Sequence, residues 1–474
     1  RCVGAISVDL NQSYVVTTAE RLKLDPADLA DRQFHNIQAT LAAANIRFDV
    51  VGMPDADYTA YVQTWCKQLY AAGAFETIET TVPYDPIRGR YLFEGYASGC
   101  CPTCLAPSKG NICEACGHPN EAARLFNLYP TGGQPGEPVE MRRHSGLVLN
   151  LERWRKPLAR HLLASLPHLR PTLRRLIDEL LAGPLPAFPI TFPSTYGIPA
   201  PFPDSDGLVL NVWAEMVPGH YWWLERAHAA AGGASPLIGG SAPVTYLQCL
   251  GFDNSFFYAC AHLALAFAAQ EAGAPALIPQ AIVTNEFYQL DGYKFSSSQG
   301  HAIWGRDFLK DVPVDEARFY FAWSNPEVQV SNFSRAEFEL IALKEFRKPL
   351  SDLYDRLSCL PQPLPPEAYD KDPMATALLE RFASAYDPAR PSLRIAAQTL
   401  ASALDIAVDR ARVGGNCPGL ASFITALAIG ASPLVPATAA SLWLLIGNTG
   451  PLAWPAENPM PARRANDIRQ QVLS

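Results

Sequence analysis

Four cysteines in the stretch CPTCLAPSKGNICEAC form two Cys-x-x-Cys pairs, Cys101 with Cys104 and Cys113 with Cys116. Each pair can present two thiolates to one tetrahedral metal ion, and two pairs complete a four-sulfur site with no position left for water. The spacing therefore predicts a structural zinc ion that stabilises a small insertion. A metal-free knuckle and two disulfides are the alternatives, and the adjacent Cys100 is expected to be a spare thiol.

A polar stretch, YKFSSSQGHAIW at residues 293–304, is the second candidate for chemistry. It places Lys294 beside Ser296, Ser297 and Ser298, and a glycine closes the loop. A cation and hydroxyl donors in such a loop are suited to binding phosphate. An ordinary surface turn explains the stretch equally well.

Composition limits the class of protein. A chain of 474 residues predicts roughly three domains. The net charge of −8 gives no general attraction to polyanions, so DNA is not an expected partner, whereas a local RNA site stays open. No signal peptide pattern is visible, and the remaining cysteines are scattered as in reduced cytoplasmic proteins, so a cytoplasmic location is expected.

The uncharged stretch near the end of the chain could be mistaken for a membrane span. Pro433 and Pro436 interrupt its core, SFITALAIGASPLVPATAASLWLLIG. We therefore predict two buried helices joined at SPLVP and no membrane partner. At the other end, the chain begins Arg1-Cys2-Val3-Gly4 without a methionine, which suggests that upstream residues belong to the same fold.

Helices and strands alternate in the first part of the chain, which predicts an α/β structure. Asp25 should cap a helix that begins at Pro26. IRFDVVG reads as a short strand and YTAYVQTWCKQLYAAGAF as the next helix, and a further strand is expected at LVLNVWAE. Residues 90–140 are rich in Cys, Gly and Pro and look like an insertion, whereas residues 334–447 read as helix with a break at PQPLPPEAYDKDP.

The order of these segments resembles the methionyl-tRNA synthetase family, which is a class I aminoacyl-tRNA synthetase family, over about residues 1–447. GYKFSSSQGHAI is similar to the family's Lys-Met-Ser-Lys-Ser loop, and LGFDNSFFYACAHL to its Gly-Lys-Asp helix entry. TYGIPAPFPDSDGLVLNVWAE is similar to the segment that ends in the substrate-pocket strand, and LAIGASPLVPATAASLWLLIG to the last helices of the bundle.

This resemblance implies an α/β fold of four parts. A class I synthetase Rossmann-type catalytic domain would occupy residues 1–92 and 141–335, a zinc-binding insertion residues 93–140, and an all-α helical bundle residues 336–474. The family's first strand and its His-Ile-Gly-His signature would lie upstream of Arg1.

The resemblance also implies that ATP, with Mg²⁺, is a substrate. In the family, the loop closes over ATP and stabilises the departing pyrophosphate, and Lys294, Ser296 and Ser298 match its pattern. Ser297 stands where the family has its second lysine. Gly251 and Asp253 match the ATP-binding positions, with Asp253 at the residue that holds the ribose, while Phe252 replaces a lysine.

Further positions match the amino-acid pocket. The resemblance gives Asp9 the role of binding the substrate ammonium, although a helix-capping role is the alternative, and it places Trp213 on the side-chain pocket. The pocket floor departs from the family. The expected substrate-binding residues there are Glu215, Met216, Val217, His220, Phe257 and Tyr258.

Two of these departures replace polar residues: His220 stands in place of a tyrosine and Tyr258 in place of a histidine. Such changes alter volume and polarity, so an amino acid other than methionine becomes a candidate substrate. A half-buried structural histidine would explain His220 without any role in binding.

The acceptor of the activated amino acid is a separate question. The helical part lacks the tryptophan and the asparagine with which the family reads the anticodon. A basic run could meet RNA phosphate or form a solvated face; it contains Arg153, Arg155, Lys156, Arg160, Arg170, Arg174 and Arg175. The first hypothesis is an adenylate-forming ligase that passes its acyl group to a small amine or carrier. An authentic methionine-type tRNA ligase and an inactive binding or regulatory paralogue are the alternatives.

Overall fold

The computed structural model describes residues 2–165, 168–235, 237, 244–295, 300–360, 370, 372–413 and 419–454. The chain divides into two compact units. One comprises residues 1–42 and 46–284, and the other residues 43–45 and 285–474. The division lies at residues 284 and 285, whereas the sequence placed the start of the helical bundle at residue 336.

A parallel strand pair opens the first unit. Ala5–Ser7 (β1) pairs in parallel with Val50–Gly52 (β2), and the connection contains Ser13–Leu22 (α1) and Pro26–Ala43 (α2). Asp25 Oδ1 accepts a hydrogen bond from Ala27 N at 2.8 Å, which confirms the predicted cap. The next helix, Ala56–Ala71 (α3), begins after Asp55, whose side chain accepts from Tyr58 N.

The insertion is a separate small sheet between two long paired strands. Glu76–Asp85 (β3) and Glu140–Asn150 (β8) run antiparallel and belong to a sheet of order β4-β3-β8-β9, with Arg90–Tyr91 as β4 and Ala187–Pro189 as β9. Between them lie Glu94–Cys100 (β5), Pro107–Gly110 (β6) and Phe126–Pro130 (β7), in the order β6-β5-β7.

The rest of the first unit packs helices around a shared apolar core. The core includes Trp65 and Leu69 from α3, Leu158 and Leu176 from the two helices that follow β8, and Tyr221. The remaining elements are Leu151–Ser165 (α4), Pro171–Ala182 (α5), Thr191–Pro193 (β10), Leu208–Leu210 (β11), Val212–Ala230 (α6), Leu247–Gly251 (β12), Leu263–Glu271 (α7) and Ala281–Asn285 (β13).

One predicted boundary is wrong. LVLNVWAE is not a single strand, because β11 ends at Leu210 and α6 begins at Val212. Asn211 makes the break: its side chain accepts a hydrogen bond from Trp213 N at 3.1 Å and so caps the helix. Trp213 and Glu215 therefore lie in the first turn of a helix, where their side chains point in different directions.

The second unit is mainly helical. Tyr288–Leu290 forms the middle strand of a small sheet, between Tyr293–Lys294 and Ser331–Phe333. The predicted helices follow this sheet, and their core is formed by residues such as Phe382, Leu404 and Phe423. Its elements are Tyr288–Leu290 (β14), Tyr293–Lys294 (β15), Gly305–Asp311 (α8), Val314–Trp323 (α9), Ser331–Phe333 (β16), Arg335–Ile341 (α10), Lys348–Ser358 (α11), Pro373–Ala385 (α12), Leu393–Arg412 (α13), Leu420–Ala431 (α14) and Pro436–Leu445 (α15).

The two helices predicted around SPLVP are α14 and α15, and α14 is buried along its whole length. Among the described residues, no helix combines the length and the apolar character needed to cross a bilayer.

Candidate functional site

A cavity of about 300 Å³ lies in the first unit, and we call it the central cavity. It brings together residues that are far apart in the sequence, which is typical of ligand sites. The predicted residues Asp9, Trp213, Met216, Asp253 and Tyr258 line it. The other lining residues are Gln12, Tyr14, Lys109, Asn111, Ile112, Glu114 and Asn254.

Asp9 lies just beyond the carboxyl end of the parallel strand β1, the edge at which α/β sheets bind ligands. The helix-capping alternative does not describe it, because α1 begins after Gln12 and has no side-chain cap. Gln12 Nε2 donates to Asp9 Oδ2 at 3.1 Å. The carboxylate is open to the cavity yet surrounded by protein, and this desolvation raises the pKa of Asp9 to about 6.

Trp213 lines both the central cavity and a second, neighbouring one. Its indole stacks on the Phe257 ring, with the ring centroids 3.8 Å apart and the planes 9° from parallel. Phe257 lies behind Trp213 and lines the second cavity rather than the central one. Phe257 therefore holds the indole in place from the far side.

Glu215 is buried beside the site and does not line the central cavity. Its Oε1 accepts hydrogen bonds from Asn11 Nδ2 at 2.8 Å and from the Tyr58 hydroxyl at 3.1 Å. Burial raises the pKa of Glu215 to about 8, and the negative charges of Asp9 and Glu94 add to the rise.

The remaining pocket-floor residues form a ring cluster. The His220 and Tyr258 rings stack with centroids 5.7 Å apart, and the His262 ring lies 4.6 Å from that of Tyr258. Val217 and His220 line a small cavity of about 10 Å³, and Tyr258 lines both this and the central cavity. Burial lowers the pKa of His220 to about 4 and raises that of Tyr258, so both rings are neutral at neutral pH.

The predicted nucleotide positions lie at the end of β12. Gly251 is the last residue of that strand, and Asp253 follows in a short 3₁₀ turn that lines the central cavity. A side chain at position 251 would meet Asp253, because a Cβ there would lie 2.5 Å from Asp253 Oδ1. The glycine therefore allows the Asp253 carboxylate to fold back beside the strand end.

The predicted loop is described only in part. Lys294 is exposed on β15 and belongs to the second unit, whereas the residues of the central cavity belong to the first. Its ammonium lies 6.0 Å from the centroid of the Phe287 ring. Ser296, Ser297 and Ser298 lie outside the described residues.

The four predicted cysteines converge. Each offers a Sγ atom, and these atoms all lie within 4.8 Å of one another. The Cys101–Cys116 and Cys104–Cys113 sulfur pairs are 3.8 Å and 3.5 Å apart, too far for the disulfide alternative, in which the S–S distance is about 2.05 Å. The cluster is compatible with a tetrahedral zinc site.

Sequence reasoning missed the part of the site that the insertion supplies. Lys109, Asn111 and Glu114, which lie between or within the cysteine pairs, form part of the central cavity wall. Lys109 Nζ donates to Ser98 Oγ at 2.8 Å and to Thr131 Oγ1 at 3.1 Å. The cysteine cluster therefore positions cavity residues, a role that its spacing alone did not suggest.

The basic run is largely occupied by contacts within the protein. Arg153 pairs with Glu271 at 2.9 Å, and Arg155 with Glu152 at 2.7 Å. Arg174 and Arg175 pair with Asp178 and Glu179, and Arg170 donates to the Thr284 carbonyl. These contacts favour the solvated-face interpretation.

Comparisons with known proteins agree with this geometry. Residues 9–358 match a model of the family described as tRNA synthetases class I (M). A methionine–tRNA ligase of Rubrobacter xylanophilus is 27% identical over 69% of this chain and 58% of its own length, and one of Pyrobaculum calidifontis is 24% identical over 97% and 85%. The chain thus spans less than two thirds of the first of these relatives.

The fold is also that of a solved structure. Methionyl-tRNA synthetase of Mycobacterium tuberculosis bound by methionyl-adenylate superposes with a TM-score of 0.67 at 18% identity, covering 95% of this chain and 90% of that one. The predicted class I synthetase fold is confirmed. With three quarters of its length matched by the family model, the chain belongs to the class I (M) family of tRNA synthetases.

Proposed function

We propose that this protein activates an α-amino acid with ATP and forms an aminoacyl adenylate in the central cavity. The observation that carries the proposal is the convergence of Asp9, Trp213 and Asp253 on one cavity from three distant segments. Methionyl-adenylate is bound by the structural neighbour from Mycobacterium tuberculosis, which lends support.

In this proposal, each residue has a distinct role. The Asp9 carboxylate binds the substrate ammonium as a charge-assisted pair, and Asp253 holds the ribose hydroxyls. Lys294 and its neighbouring serines attract the negative charge that develops on the pyrophosphate. Mg²⁺ accompanies ATP and neutralises phosphate charge when bound.

The floor of the pocket supports a neutral amino-acid side chain. His220 and Tyr258 exchange the histidine and tyrosine of the family pattern and remain in ring contact, so the pair retains one imidazole and one phenol. Neither ring is charged at neutral pH. A charged substrate side chain would lose its hydration there without gaining a partner.

The acceptor is proposed to be a small amine or carrier rather than tRNA. The contacts of the basic run and the missing anticodon residues of the helical part support this choice. The second candidate is a methionine–tRNA ligase, and the names of the relatives favour it. A zinc ion bound by the four cysteines would stabilise the insertion in either case.

ATP–pyrophosphate exchange tests the proposal. The full-length protein is assayed with each proteinogenic amino acid in turn, and exchange that depends on one neutral amino acid is expected. Failure to exchange with any amino acid would contradict adenylate formation and favour a binding or regulatory role.

A further inference from the structure

A second, larger cavity of about 480 Å³ adjoins the central one, and we call it the side cavity. It lies in the first unit between the β3-β8-β9 strands and the insertion, and it shares Asn111 and Trp213 with the central cavity. Its size is within the range of small-molecule sites. Much of its wall is apolar: Ile78, Val82, Leu92, Phe93, Phe188 and Phe192.

One carboxylate on this wall is buried without a cation. Glu94 is 2% exposed, and among the described residues it forms no ion pair. Its Oε2 accepts from Ser13 Oγ at 3.0 Å, and Ser13 Oγ in turn accepts from Gly95 N at 2.9 Å. Its Oε1 makes no hydrogen bond of normal length.

Glu94 also has a strained backbone. Its φ of 42° lies in the left-handed region, which is costly for a residue with a long side chain. Burial raises the pKa of Glu94 to about 7, and the charge of Asp9 adds to the rise. Hydrogen bonding from Ser13 and from the Trp213 side chain lowers the pKa and offsets part of this rise. A buried carboxylate in this state can accept a proton near neutral pH.

We propose that the side cavity binds the acceptor of the activated acyl group, a small molecule with an apolar body and a primary amine that Glu94 contacts. This inference rests on the proposed adenylate formation. Glu94 first takes a proton from the acceptor's ammonium. The amine nitrogen then attacks the adenylate carbonyl carbon, the C–N bond forms, and the bond from that carbon to the phosphate oxygen breaks. AMP leaves with the electron pair, the amine nitrogen releases its second proton to water, and the product is an amide.

The negative charge of Glu94 favours an amine over a phosphate-bearing molecule as the acceptor. Glu94 disfavours a phosphate-bearing acceptor in the side cavity, since like charges in a poorly hydrated site repel. An ammonium group gains a buried counter-charge there, and an apolar body contacts the phenylalanine side chains of the wall. Exposed Thr80 and Ala187 lie on the lining and mark where the cavity reaches the surface.

The test compares two reactions of the same full-length protein. Pyrophosphate exchange reports adenylate formation. Transfer is measured as AMP release and amide product, by mass spectrometry, with a panel of aromatic and aliphatic primary amines, the matching alcohols, and total tRNA. We expect amines with apolar bodies to be acylated, and the alcohols and tRNA to react at least about tenfold more slowly.

Two rim variants, Ala187→Trp and Thr80→Trp, narrow the side cavity, and Ala72→Trp places the same side chain at an exposed position outside both cavities. We expect the rim variants to lower amine transfer at least about tenfold with exchange within about twofold, and the control to change neither. Glu94→Gln should lower the ratio of transfer to exchange.

Amine transfer that is unchanged in both rim variants would overturn the assignment of the side cavity. An absence of acylated amine despite normal exchange would overturn it too and leave adenylate formation standing. An absence of exchange would instead overturn the proposed function, and the assignment with it.

Discussion

Three carboxyl groups in the first unit share an unusual electrostatic setting. Desolvation raises the pKa values of Asp9, Glu94 and Glu215 to about 6, about 7 and about 8, and the charge of Asp9 adds to the rise of the other two. Such perturbed groups beside a cavity are typical of functional sites. Of the three, only Asp9 lines the central cavity, where its carboxylate could pair with the ammonium of a bound amino acid.

The dependence of amino-acid affinity on pH tests the proposed role of Asp9. If Asp9 binds the substrate ammonium in its ionised form and not in its protonated form, the apparent affinity for the amino acid should be constant above about pH 6. Below pH 6 the affinity should fall, approaching tenfold per pH unit. The measurement is the KM for the amino acid in pyrophosphate exchange. Asp9→Asn should raise this KM and abolish the slope below pH 6; an identical slope in the variant would assign the titration to another group.

The buried carboxyl group of Glu215 should make the stability of the protein depend on pH. Its folded-state pKa of about 8 lies above the ordinary value of 4.5, so between these values the native state holds a proton that the unfolded state has lost. Its contribution to stability therefore falls as pH rises from about 4.5 to about 8. Glu215→Gln retains an oxygen that can accept the hydrogen bonds from Asn11 and Tyr58, but its side chain does not ionise. The variant should therefore not lose stability at this position as the pH rises.

Thermal unfolding at two pH values checks this prediction. The Tm of Glu215→Gln should exceed that of the parent protein at pH 8, and the two should be similar near pH 5. Tyr58→Phe is the control that removes a hydrogen bond without changing the carboxyl group. A lower Tm for Glu215→Gln at both pH values would show that the carboxylate is stabilised in the fold.

At the scale of elements, the cysteine cluster holds an insertion that supplies part of the central cavity wall. We expect about one zinc per chain in protein prepared without chelator. Cys101→Ser should lose most of this zinc and lower the Tm, because the small β6-β5-β7 sheet has a limited core of its own. Cys100→Ser is the matched control and should retain the metal; equal zinc content in both variants would contradict the assignment.

The packing of α14 on α12 gives a second prediction at this scale. A Cβ added at Gly430 would lie 2.1 Å from Phe382 Cδ2, and both residues are buried. Gly430→Ala should therefore destabilise the protein by about 1–3 kcal/mol, despite the higher helix propensity of alanine. Adding Phe382→Leu to Gly430→Ala should recover part of the lost free energy of unfolding, measured by denaturant unfolding. If the destabilisations of the two single variants simply add in the double variant, residues 430 and 382 are not in close contact.

Elements differed in how far the sequence determined them. The cap at Asp25, the break at SPLVP and the cysteine spacing are local patterns, and the structure contains each of them. The strand end at Leu210 was missed because an apolar run does not show where an asparagine will cap a helix. The hydrogen bonds that join Asn11 and Tyr58 to Glu215 cross long sequence separations, and no pattern within one segment indicates them.

At the scale of the whole molecule, the net charge of −8 bears on the acceptor. Binding a long RNA needs many phosphate contacts, and several arginines of the basic run are already paired. We predict that methionine tRNAs are poor substrates even where adenylate forms readily. Charging assays with total tRNA test this. Robust charging that depends on the CAU anticodon would show that the protein acts as a methionine–tRNA ligase.

If the central cavity holds both halves of an aminoacyl adenylate, a non-hydrolysable aminoacyl-sulfamoyl adenosine should bind there, and calorimetry measures this binding. We expect about one bound analogue per chain. Asp9→Asn should lower the affinity for this analogue at least about tenfold. The same substitution should not change the affinity for an otherwise identical analogue that lacks the ammonium group. Asp253→Ala should weaken both analogues. Equal affinity of the complete analogue for the parent protein and both variants would show that Asp9 and Asp253 do not bind an adenylate.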